Sequence, residues 1–168
     1  MLERFMEALM PSDVKIKFDL TKLNQIVGNL ETKMVAKVGI LGNKNERNEK
    51  GKSNAEIGAT HEFGSFSQNI PKRSFLKTPL FQLRKKELLN GTIKIVNNNL
   101  LKPDGAKLIY KQLGLLGEYI VKNAFSTGGY GIWKPLGQQT IKRKGSDKIL
   151  IDTSQLRRSI TSKVEVIK

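Results

Sequence analysis

The sequence contains no cysteine and a single histidine. The first absence excludes disulfides, thiolate metal sites and a cysteine nucleophile, and it leaves the redox compartment unreadable. The second excludes any metal or triad design that needs two imidazoles. His61-Glu62 is followed by Phe63, Gly64 and Ser65 rather than by a second histidine one turn on, so the H-E-x-x-H zinc motif is not met. No G-x-x-x-x-G-K-[ST] phosphate loop occurs; Gly128-Gly129-Tyr130-Gly131 lacks the Lys-Ser/Thr pair and a preceding strand, and reads as a loop hinge. No apolar run approaches the roughly 18 residues of a membrane span. The opening MLERFMEALM carries Glu3 and Glu7 and no basic leader, so a secretion signal is not expected either. Neither an enzyme nor a cofactor or metal is expected, and no membrane.

Acidic residues are scarce too: 15 Asp plus Glu stand against 30 Lys plus Arg, for a net charge of +15. Such an excess invites nucleic-acid binding. It is spread along the chain, however, with clusters at Arg84-Lys85-Lys86, Lys142-Arg143-Lys144 and Arg157-Arg158. No helix carries base-reading Arg or Asn at groove spacing, so a sequence-blind contact with phosphates is the form DNA binding would take. With 168 residues, 38% hydrophobic and 27% charged, one domain is expected, long enough to hold a core without staples.

What is present is clearest between residues 53 and 76. Ser53 and Glu56 have capping-box spacing, which starts a helix at Asn54. Ile57, Thr60 and His61 share one face of it, and Gly64 closes it. A polar turn over 65–69 leads into Ile70-Pro71-Lys72-Arg73-Ser74-Phe75-Leu76, two apolar anchors flanking two cations.

The remaining chain divides by periodicity. Residues 1–11 form an N-terminal amphipathic helix, and 14–18 alternate as a strand. A helix over 20–30 has the stripe Leu23, Ile26, Val27 and Leu30, and 34–40 form a second strand. Residues 41–53 form a polar loop expected to lack structure and to be mobile until a partner orders it. Thr78 and Pro79 open one helix to about Asn99, with Leu89, Ile93, Val96 and Leu100 buried and Asn97-Asn98-Asn99 fraying. Pro103 opens another, with Ile109, Leu113, Leu116, Ile120 and Ala124 as its stripe, ended by Thr127-Gly128-Gly129. Residues 128–148 hold a loop carrying Trp133 and a short basic helix ended by Gly145. Trp133 anchors its loop on the core or serves as an interface hot spot. Asp152-Thr153-Ser154 caps a turn carrying Leu156, and 160–167 form a last strand. The fold class that fits is α+β: a single domain with a small, mainly antiparallel sheet packed against two long helices, with long loops.

Three pieces in one order carry a resemblance: Ile57 to Gly64, Ile70 to Leu76, and Trp133-Lys134-Pro135-Leu136 followed by Leu150 to Ile160. Together they resemble the tailed-phage virion-morphogenesis or tail-completion proteins, which join head to tail and include the phage Mu G protein and siphophage minor neck and tail proteins. The chain departs from that pattern at Ser74, where Pro is common, and at Ser154, where Gly is common. Ser74 is suited to cap the turn that Pro would stiffen, and Ser154 is expected to need a less demanding backbone angle than Gly serves.

The resemblance implies a ring-forming structural protein of the neck, assembled in the host cytoplasm and resident in the virion. Implied partners are further copies of itself, the connector or adaptor, the tail terminator or tail tube, and nonspecifically the DNA. As interface or structural motif residues it marks His61, Glu62, Phe63, Gly64, Pro71, Arg73, Phe75, Trp133, Asp152, Leu156 and Arg157, none catalytic or cofactor-binding. Arg73, Phe75 and Trp133 are expected to face a neighbour, so that loss of Arg73 or of Trp133 blocks joining while the monomer still folds.

Overall fold

The computed structural model describes residues 20–47 and 51–167. The helix expected over 1–11 and the strand over 14–18 lie outside the described residues. The elements run α1 (Leu20–Glu31), β1 (Met34–Ile40), a 3-10 turn (Gly42–Asn45), α2 (Asn54–Phe63), a π-helical turn (Pro79–Leu83), α3 (Lys85–Asn99), α4 (Gly105–Ser126), α5 (Gln138–Lys144), α6 (Gln155–Ser159) and β2 (Ile160–Val166). The architecture is α+β with a two-stranded antiparallel sheet.

β1 and β2 pair over their full length, Met34 opposite Val166 and Ile40 opposite Ile160. Lys37 sits directly across from Lys163, a repulsive arrangement on its own. Glu165 ion-pairs with both lysines and offsets it. α4 lies across both strands, and α3 packs on α4. The close approach rests on two side-chain-free positions: a Cβ at Gly114 or Gly117 would come within 3.0 Å of Ser162 or Val38. The core gathers where α4 ends, from Phe75, Val121, Ala124, Phe125, Trp133, Leu156 and Ile160.

Several expectations about local structure need correction. The helix expected over 78–99 is broken, because the Arg84 N–H bonds the Pro79 carbonyl at 2.9 Å and inserts a π-helical turn. Leu89 and Ile93, expected inside, are more than half exposed, and the inward line falls on Leu88, Ile95 and Asn99. Asn99 does not fray: it is 1% exposed, donates to the Ile95 carbonyl at 2.7 Å and accepts from Lys102 Nζ.

α1 forms as expected, but Leu23, Val27 and Leu30 are exposed. It is held instead through Asn29, whose amide donates to the Leu100 carbonyl at 2.7 Å and accepts the Ala106 N–H at 3.1 Å. Asn29 thereby caps α4, which Asp104 does not do with its own side chain. In the loop expected to lack structure, the 3-10 turn is fastened to α2. Asn54, 3% exposed, donates to the carbonyls of Lys44 and Glu46 and accepts from Arg47, while Asn45 accepts the Ala55 N–H.

Ser154 departs from its expected role as a cap. It makes no side-chain cap bond and sits at φ 60°, in the left-handed conformation that Gly occupies without cost. Ser154→Gly is therefore expected to raise unfolding free energy by about 1 kcal/mol. Urea titration measures it, and a destabilised variant would show that the Ser hydroxyl contributes more than the backbone angle costs.

Candidate functional site

α2 begins with the expected capping box: the Ser53 Oγ accepts the Glu56 N–H at 3.3 Å, and the Glu56 carboxylate accepts the Ser53 N–H at 2.7 Å. Those bonds hold the Glu56 carboxyl below its ordinary pKa. Starting the helix there places Glu62 on its inner face, where the sequence alone shows only a charged residue beside a histidine. Glu62 is 7% exposed, and its two oxygens collect four donors. Oε1 accepts from Ser74 Oγ at 2.6 Å and Lys77 N at 3.0 Å; Oε2 accepts from Phe75 N and Leu76 N, both at 2.9 Å. Ser74 Oγ in turn accepts the Thr78 N–H at 3.0 Å. A carboxylate from one helix thus caps the start of the next turn, with Ser74 as the relay, and every donor freed by that turn is satisfied.

The return of the chain to Glu62 needs Gly64. Its φ is 81°, and a Cβ would lie 2.9 Å from the Lys72 backbone nitrogen. Ser65 and Ile70 then close the turn with a pair of backbone bonds, and the Arg73 N–H reaches the His61 carbonyl at 2.8 Å.

Arg73, 6% exposed, aims its guanidinium inward and donates through Nε and Nη2 to the Lys134 carbonyl at 3.3 and 3.1 Å. Burial lowers its pKa from the ordinary arginine value; the group stays cationic all the same. Trp133 Nε1 donates to the Ser74 carbonyl at 3.2 Å, and its ring meets Phe125 edge-on at 5.9 Å, while Phe75 packs on Phe125 at 5.1 Å. The indole fits because residue 129 is Gly, where a Cβ would lie 2.2 Å from Nε1. Leu156, 6% exposed, lies with Phe75 beside Gly58.

This corrects the expectation that Arg73, Phe75 and Trp133 face a neighbour. All three are interior, and of Trp133's two readings the core anchor is the one observed. Glu62, Gly64 and Leu156 join them in one knot. Pro71 and Asp152 lie on the rim of the adjoining groove, which His61 also lines. Burial, and then the Arg73 cation, lower the His61 pKa. Its Nδ1 is buried with no partner. Phe63 is 72% exposed. Arg157 is apart from the knot, its Nε donating to the Lys122 carbonyl at 3.3 Å on α4. Ser74 and Phe66 were not among the expected site residues. Phe66 stands fully exposed in the turn, a position that no periodicity marks.

Among the described residues no three His, Asp or Glu side chains converge as a metal site, and no helix is long and apolar enough to cross a membrane. The arrangement locks backbone segments together and presents apolar and basic groups around the lock. Comparison with protein-family models, curated proteins and solved structures yields no match to this chain.

Proposed function

We propose that this chain is a structural protein of the neck of a tailed bacteriophage or prophage, which forms a ring and completes or joins the tail to the head connector. The observation that carries this reading is a convergence. The segments whose order and spacing resemble the tail-completion proteins lie far apart along the chain, yet meet in one knot through Glu62, Ser74, Arg73 and Trp133. A shared sequence pattern would be expected to behave so if it encodes a rigid unit rather than scattered surface features. In this reading the protein acts by contact and not by catalysis. It resides in the virion after assembly in the host cytoplasm, and it touches further copies of itself, the connector or adaptor, and the tail terminator or tail tube.

Contact area is available beside the knot. Phe63 and Phe66, which flank Gly64, are 72% and 104% exposed. Exposed large apolar side chains in groups mark interaction surfaces more often than solvated ones. The positive charge suits acidic partners or the DNA in the channel, the latter weakly and without reading sequence.

The test is complementation of the phage or prophage lacking this gene, followed by electron microscopy. The unmodified protein is expected to restore virions. The double variant Phe63→Ser with Phe66→Ser is expected to leave unattached heads and tails while melting at the unmodified temperature. Normal virions in the complete absence of the protein would overturn the reading.

A further inference from the structure

Beside the knot lies an open groove of about 880 Å³, to which the 65–71 turn, the residues leading into α5, α5 itself and the 150–156 segment all contribute. Its charge is one-sided. Arg47, Arg73, Lys134, Arg143 and Lys144 line it, against Asp152 as the one acidic lining residue among those described. None of these cations is neutralised by a carboxylate within ion-pair distance among the described residues. Arg47 rests on the Asn54 amide oxygen, Arg73 on the Lys134 carbonyl and Lys144 on the Lys148 carbonyl, all neutral acceptors that leave the positive charge in place. Lys134 and Arg143 are exposed. Between them the lining is apolar, with Ile57, Ile70, Leu136 and Leu150 half-buried.

From this pattern we infer that the groove is a docking site for an acidic segment with interleaved apolar residues, contributed by a different protein. The occupant is taken as a protein on the strength of the assembly reading; its chemistry is set by the groove. A phosphate backbone would satisfy the cations but set its charges against Ile70, Leu136 and Leu150, where an ion without partners is costly. A polypeptide that alternates carboxylates with apolar side chains matches both parts of the lining at once. A second copy of this chain does not supply it. Its acidic stretches are short: residues 1–14 carry Glu3, Glu7 and Asp13 with Arg4, and in the cation-free stretch 53–71 Glu56 and Glu62 are engaged in the capping box and the knot, while any second copy brings its own +15 to a basic groove.

The experiment uses the full chain and a fluorescein-labelled peptide alternating Glu with Leu, read by anisotropy. Polyglutamate of equal charge and a DNA duplex serve as competitors. The Glu-Leu peptide is expected to bind more tightly than either. Lys134→Glu with Arg143→Glu is expected to weaken its binding at least about tenfold. Lys107→Glu with Lys111→Glu makes the same change in net charge on α4, away from the groove, and is expected to leave binding near that of the unmodified protein. All these positions are exposed, so folding is checked simply by melting temperature.

Equal losses from the two charge pairs, or tighter binding of the duplex than of the peptide, would overturn the groove assignment. In complementation, the Lys134→Glu, Arg143→Glu protein is expected to fail in head-to-tail joining. Normal joining by this variant would remove the groove proposal and leave the neck reading standing, since that reading falls only if the protein as a whole is dispensable.

Discussion

Glu62→Ala lowers the unfolding free energy by at least about 3 kcal/mol, a large share of the roughly 5–15 kcal/mol that a domain possesses. The carboxylate is the common acceptor for one hydroxyl and three backbone N–H groups. Removing it leaves those donors inside without partners, and each such loss costs about 1–3 kcal/mol. Glu62→Gln should recover little. An amide turns one of the two oxygens into a donor, and each Glu62 oxygen faces two donors. Denaturant unfolding of both variants reads the effect, and a loss below about 1 kcal/mol for the Ala variant would mean that water replaces the carboxylate.

Trp133→Ala is expected to cost about 3–5 kcal/mol, the range for deleting a large aromatic from a close-packed core. The loss has two parts. The cavity opens against Phe125, and the Ser74 carbonyl loses the indole N–H, so the damage reaches the Glu62 knot. Gly129→Ala attacks the same contact from the other side, forcing a methyl into the indole at a position with φ 69°. Both variants should therefore fail to accumulate as folded protein, instead of folding normally and failing only in joining. A Trp133→Ala protein with an unmodified melting temperature would restore the idea that this residue serves a neighbour.

Local signals were legible where chemistry and position coincide. Ser53 with Glu56 marks the start of α2, Gly64 its end, and the strands expected over 34–40 and 160–167 form over Met34–Ile40 and Ile160–Val166. Elements set by distant partners were not. Nothing near Thr78 announces that the helix start belongs to a carboxylate sixteen positions earlier, or that Asn29 caps a helix more than seventy residues away. The same holds for phase: within α3 the inward line runs through Leu88, Ile95 and Asn99, one position off the expected stripe, and Asn99 is drawn in by its bonds to Ile95 and Lys102 rather than by apolar character.

In the site, the residue types were recognised and their direction was not. A cation between Pro71 and Phe75 has the composition of a contact surface, but Lys134 offers a backbone carbonyl that draws Arg73 inside. The turn that does project, at Phe66, carries no pattern because a loop side chain has no periodic neighbours to be compared with.

The attachment of α1 has a consequence for how the molecule opens. Its described bonds to the rest of the chain centre on one amide, Asn29, while Leu23, Val27 and Leu30 remain in solvent. Detaching it breaks these hydrogen bonds, worth about 1 kcal/mol each. The same amide caps α4 at Ala106. Release of α1 is thus transmitted as a loosening of the first turn of the helix that carries the sheet, so the two ends of α4 differ in kind: one is locked by the knot, and the other is capped by an amide from a helix far along the chain.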